Sequence, residues 1–293
     1  MCAAATHAQD AGNDDLIFIH HSCGNNWLKR GLHQALLEKP YVNQRNDICY
    51  GSDLKPDAGR PDSLRFDGKV PGDRTDMNHW ICWFNDYLGA VKKHQTKGDR
   101  VNRIIMFKSC FPLSHVSADG SPPGDPFNPE HTLANYQALY RHVDGPAATY
   151  QRNGVTYKPL EQIFAENPDT LFIAVTSPPL HYAPKEVTTD DAAARARKFN
   201  NWLKNDWLAA YNAANPGLNN VAVFDWFDIL ANPDDHQQHP NRLRAEYGGE
   251  AGDAHPTENA DQDSVVIFAS GEDNYLDKVY QTFFASQPAT TAP

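Results

Sequence analysis

The sequence is short of three things. It has no apolar run approaching the roughly 20 residues that a membrane-spanning helix needs, and its mean hydropathy is -0.63. Basic charge is scarce: 26 Lys and Arg stand against 37 Asp and Glu, so the formal net charge is -11. That balance disfavours a protein whose main task is to neutralise phosphates, or one that sits on an anionic membrane surface. Cysteine is scarce too. Its five copies (2, 23, 49, 82 and 110) include no CxxC and no zinc-finger spacing, and the odd count leaves at least one thiol unpaired within the chain. What the sequence has in quantity is aromatic: 11% of residues, with six Trp and twelve Tyr. That is too many for a disordered chain. At 293 residues the chain is long enough for a sizeable core.

Short apolar runs alternate with helical stretches, the pattern of an α/β sheet. Strands are expected at Leu16-Ile17-Phe18-Ile19, weakly at Asp47-Ile48-Cys49-Tyr50, at Arg103-Ile104-Ile105-Met106-Phe107, at Leu171 to Val175 and at Val221-Ala222-Val223-Phe224. Helices are expected over 25–38, 80–93, from Thr188 or Thr189 to about Ala214, and from Val265 to Phe284. Five strands alternating with helices predict a parallel sheet covered on both faces. Two segments break the alternation and read as long functional loops: 51–79, rich in Pro, Gly and Asp, and 112–160. No internal repeat or linker is visible, so 15–285 reads as one domain between tails at 1–14 and 286–293. The small residues Ala3, Ala4, Ala5 and Ala8 resemble the end of a cleavage site, with an exported protein and an ordinary cytosolic tail as the two readings.

In such a sheet, ligands bind beyond the carboxyl ends of the strands. The residues there are polar: His20-His21-Ser22-Cys23-Gly24-Asn25 after the first strand, Gly51 after the second, Lys108-Ser109-Cys110 after the third, His181 and Asp225 further on, and Asp253-Ala254-His255-Pro256 before the last helix. Ser22 lies between a buried strand and a helix, with Gly24 to permit a tight turn. It is a candidate nucleophile, although a helix cap is the commoner task of such a Ser. His255, held extended by Pro256, is the matching base, and Asp253 is near enough in sequence to orient its ring. The GxSxG elbow of α/β-hydrolases is absent.

A Ser right after the first strand and an Asp/His pair before a C-terminal helix resemble the SGNH (GDSL-type) hydrolases, as an atypical branch with His20-His21-Ser22 in place of Gly-Asp-Ser. The resemblance implies a flavodoxin-like α/β/α sandwich with strand order 2-1-3-4-5. It also implies ester-hydrolysing activity of the esterase, deacetylase or lipase kind, with no cofactor and no metal. Its Asp-x-x-His-Pro block maps to Asp253-Ala254-His255-Pro256, one residue short between acid and base, so Glu250 and Asp225 stand as alternative acids. Its Gly-x-Asn-Asp block would follow the third strand, where Lys108-Ser109-Cys110 stands instead. Gly51, Lys108, Ser109, His21 and Asn25 are then the candidates for holding the oxyanion or substrate, and a small-molecule or glycan ester is the expected partner.

Two other readings stand beside it. Residues 80–88 carry aromatics at core spacing, but Tyr136, Tyr140 and Tyr150 in the second long loop are freer to stack on sugars, which suits a glycan-binding module on the same fold. His20-His21, Asp234-Asp235-His236 with His239, and Asp253 with His255 supply metal-ligand chemistry, but no HExxH. Cys23 and Cys110 follow strands that are neighbours in the expected order, which would bring the two thiols close.

Overall fold

The computed structural model describes residues 14–50, 54–64, 74–183 and 189–287. In chain order the core elements are β1 (Asp14–Ile19), α1 (Cys23–Trp27), α2 (His33–Leu37), β2 (Val42–Ile48), α3 (Met77–Asp86), α4 (Leu88–Lys93) and β3 (Asn102–Lys108). Then come α5 (Leu133–Tyr140), a hairpin of β4 (Tyr150–Arg152) and β5 (Val155–Tyr157), α6 (Leu160–Ala165), β6 (Leu171–Val175), α7 (Asp190–Asn201) and α8 (Leu208–Ala214). The chain closes with β7 (Val221–Phe224), α9 (Trp226–Leu230), α10 (Glu258–Val265) and α11 (Tyr275–Ser286).

Five parallel strands form one sheet in the order β2-β1-β3-β6-β7. Counting only those strands, this is the expected order 2-1-3-4-5. The fold is a three-layer α/β/α sandwich of flavodoxin-like type. Strands β1, β3, β6 and β7 are largely apolar because both faces are covered, whereas β2, at the sheet edge, is largely polar. Alternate residues serve opposite sides. Ile17, Ile19, Ile105, Phe107, Phe172 and Val223 pack beneath α3 to α8, with Trp80, Trp83 and Trp207 fully buried among them. Leu16, Phe18, Ile104, Met106, Ile173 and Phe224 face α1, α2, α10 and α11. There Trp27 stacks on Trp226 with ring centres 4.8 Å apart. Thr132, Thr189 and Thr257 each accept a backbone N–H from the first turn of the helix that follows.

Four expectations are corrected. The second strand begins at Val42 and ends at Ile48, before Cys49 and Tyr50, because its pairing with β1 starts at Asp14. The second long segment is not irregular: residues 133–140 form a helix and 150–157 a hairpin. Tyr136 and Tyr140 are therefore buried rather than available to a sugar. The C-terminal helix begins at Glu258, capped by Thr257, and breaks at 271–274 before α11. Asp14, assigned to the tail, is a buried strand residue bonded by Arg103 and Tyr280. Residues 51–53 and 65–73 of the first long loop, Gly51 and Gly72 among them, lie outside the described residues.

Candidate active site

The site is built where β1 runs out. Ser22 is neither strand nor helix: its φ of 44° and ψ of -101° place an L-residue in a backbone region that such residues seldom occupy. Strain of this kind persists only where neighbours enforce it. One of those neighbours is Gly24, which presses onto the ring of His20; a Cβ there would come within 2.6 Å of the His20 Cβ. The turn therefore needs glycine for close approach. It throws the Ser22 side chain off the sheet edge, and Ser22 makes no cap for α1. The helix-cap role is not the one it fills.

The Ser22 hydroxyl donates to His255 Nε2 in a short hydrogen bond. The other ring nitrogen, Nδ1, donates to Asp253 Oδ1 at 2.6 Å, and the same oxygen accepts the His255 backbone N–H at 3.0 Å. A carboxylate cannot donate, so Asp253 puts the ring proton on Nδ1 and leaves Nε2 as the acceptor facing Ser22. Burial opposes charge on Asp253, but the His255 backbone and ring bonds outweigh it and hold the carboxyl below its usual range. Phe111 meets the His255 ring edge-on at 5.0 Å. Ser22, His255 and Asp253, the candidate nucleophile, base and orienting acid, thus form one hydrogen-bonded chain, joining the end of β1 to the loop before α10.

Of the three acids left open, Asp253 is the one on His255. Asp225 caps α9, accepts from Thr176 and pairs with Lys204 at 2.7 Å. Glu250 accepts from the Tyr182 hydroxyl at 3.3 Å. The remaining candidates scatter. His21 shares a 2.7 Å hydrogen bond with Thr75 and meets Tyr50, an exposed ring, edge-on. Ser109 turns to the opposite face of the sheet. Its hydroxyl accepts from Trp80 Nε1 at 2.8 Å and donates to Met77 Sδ, so that oxygen is already committed. Asn25 lines a groove with Lys29, His33, Arg45 and Asp47, on the β2 side of α1.

Lys108 was expected on the rim and lies beneath it. The residue is 1% exposed, because as the last residue of β3 it alternates onto the side of α10 and Trp226. Its Nζ has no hydrogen-bond partner among the described residues and lies over the Trp226 ring at 5.5 Å. His20 and His181 are also buried, so these polar strand-end residues lie mostly beneath the opening rather than around it. Burial pulls the His20 imidazole down to about 4, against the pull of Asp47. Cys23 and Cys110 do meet, with sulfurs 3.3 Å apart as two thiols, and burial pushes the Cys23 thiol well up.

Among the described residues, no group of three His, Cys, Asp or Glu side chains is arranged to hold a metal ion. His239 stacks on Tyr182, and His236 Nδ1 accepts the His239 backbone N–H. No helix among them is long and apolar enough to cross a membrane. The contacts that sequence reading missed are Phe111 on the base, Thr75 on His21, and Arg30 on the carbonyl after the base. Only Arg30 leaves a trace in the sequence, as the residue before a glycine inside a helical stretch.

No known protein family, no curated protein and no solved structure matches the chain.

Proposed function

We propose that the protein is a serine-dependent ester hydrolase of the carbohydrate-esterase, deacetylase or short-chain-esterase kind. The observation that carries this reading is the Ser22–His255–Asp253 chain, with its serine on a strained turn at the carboxyl end of a central strand. Such strain is kept at functional sites, and a structural serine has no need of it. The resemblance of the surrounding motifs to SGNH hydrolases supports the same reading.

In the proposed reaction His255 Nε2 takes the Ser22 proton as Oγ attacks the ester carbonyl. The tetrahedral intermediate collapses, and the alcohol leaves with the proton now on Nε2. Water then attacks the Ser22 acyl ester, with His255 again as base, and the acid departs. Asp253 holds the ring tautomer and balances the charge that develops on the imidazole. Backbone N–H groups at the Ser22 turn are the proposed oxyanion donors. The Ser109 hydroxyl is not among them, being bonded to Trp80 and Met77.

The test is hydrolysis of small aryl acetates, followed by a screen of acetylated sugars and short-chain esters. Ser22→Ala is expected to abolish turnover while leaving the circular dichroism spectrum unchanged. A folded Ser22→Ala variant with full activity overturns the assignment. Wild-type binding of acylated glycans without any turnover would favour a binding module instead.

A further inference from the structure

The nucleophile and the base come from segments more than two hundred residues apart in sequence, and one side chain ties them together. Arg30 lies on the same helical stretch that starts just after Ser22. Its Nη1 donates one hydrogen to the Pro256 carbonyl at 2.8 Å and the other to Asp261 Oδ2 at 2.7 Å. Pro256 follows the base directly. Asp261 belongs to α10 and is fully buried. Burial pushes its carboxyl up to about 7, against the Arg30 guanidinium that favours its charge.

The backbone is shaped for this contact. Between α1 and α2 the chain passes through a π-helical turn, Leu28–Leu32, and leaves helical geometry at Arg30 and at Gly31, whose φ is 132°. Glycine alone adopts that angle readily. A straight helix here would point residue 30 elsewhere. Gly31 also lies against Val265 of α10, with a Cβ there only 3.6 Å from a Val265 methyl carbon.

We infer that Arg30 is a positioning residue: it clamps the Pro256 carbonyl to the nucleophile's own helix and so sets the distance between Ser22 and His255. The inference rests on the hydrolase reading and names the part that keeps its geometry. The stretch 250–253 leading to His255 is exposed, and reaction rates fall steeply when a base drifts by an ångström.

The experiment compares wild type, Ser22→Ala, Arg30→Ala and Arg30→Lys with 4-nitrophenyl acetate as substrate, and measures kcat and KM separately. Arg30→Ala is expected to lower kcat by about 10- to 100-fold with KM changed by less than about threefold. Arg30→Lys, whose ammonium can donate to both acceptors, is expected to recover most of that loss. Low-millimolar guanidinium ion, added to Arg30→Ala, is expected to restore part of kcat, which a merely structural role would not allow. Should Arg30→Ala fail to fold, Arg30→Gln takes its place in the same comparison. Unchanged kcat in the Arg30 variant, or a loss that neither lysine nor guanidinium repairs, overturns the clamp while Ser22→Ala still abolishes turnover. Full activity in Ser22→Ala overturns the hydrolase reading itself, and the clamp with it.

Discussion

The candidate nucleophile and the candidate base are built in opposite ways. Ser22 stands just beyond the end of an interior strand of the sheet, with His20 fully buried before it and Gly24 wedged against that ring. His255 stands on a surface loop: its side chain is 31% exposed and that of Asp253 is 64% exposed. The serine side is held by close packing, which resists small displacements. The histidine side is held by a few hydrogen bonds, from Asp253 within the loop, from Arg30 across to it, and from Tyr182 to the Gly249 carbonyl. The comparison teaches that the position of Ser22 belongs to the fold, whereas that of His255 depends on individual bonds that substitution can remove singly.

Changes on the two sides should therefore separate. The largest effect is expected from the base itself: His255→Ala should lower kcat by about a thousandfold or more, roughly 4 kcal/mol in barrier, with the thermal midpoint nearly unchanged. Kinetics and a melting curve on one preparation check both halves. Gly24→Ala should do the reverse. Its new methyl meets the His20 Cβ and ring carbon, so overpacking should remove about 1–3 kcal/mol of stability, read as a lower urea midpoint. An unmoved midpoint would mean that the turn is looser than its contacts indicate.

Asp253→Asn should have a smaller effect on rate, about 10- to 100-fold, because an exposed carboxylate is screened by water. A loss as large as that of His255→Ala would show that the loop shields the acid in use.

The smallest effect is a pH dependence. His20 is buried neutral, with its imidazole lowered from 6.5 to about 4. Between those values the unfolded chain binds a proton that the folded chain does not, so stability is lost as pH falls through that window. Going from pH 7 to pH 5.5 should cost about 1 kcal/mol through this residue, and His20→Gln should remove that part of the slope. Urea midpoints of the two proteins at both pH values check it.

Much of the fold was legible in the sequence, because buried strands announce themselves. Ile104-Ile105-Met106-Phe107 and Leu171 to Val175 are apolar on both faces, and only a doubly covered sheet accommodates that. The start of β2 was not legible, since Val42 to Asp47 is largely polar and becomes a strand only by pairing with β1. The helix and hairpin of 133–157 were hidden for a similar reason. α5 is buried almost all round, so it carries no amphipathic period to find.

The candidate site divides along the same line. Ser22, Asp253 and His255 could be picked from local chemistry: a serine after a strand, and an acid two residues before a histidine-proline pair. Ser109 and Lys108 could not be sorted, because adjacent residues at a strand end leave on opposite faces, and a change of one position in register exchanges their surroundings. What the sequence by itself determined is the layered parallel sheet and the residue types at its polar edge, since these follow from periodicity and side-chain chemistry, whereas the strand order was only what the resemblance implied. Only the tertiary structure decided that Asp253 rather than Asp225 or Glu250 takes the His255 ring, that Lys108 is buried beside Trp226, and that Arg30 reaches Pro256. Those contacts join segments far apart in the chain. A hydrogen bond of that kind depends on distance and direction in space, which no local pattern of residues specifies.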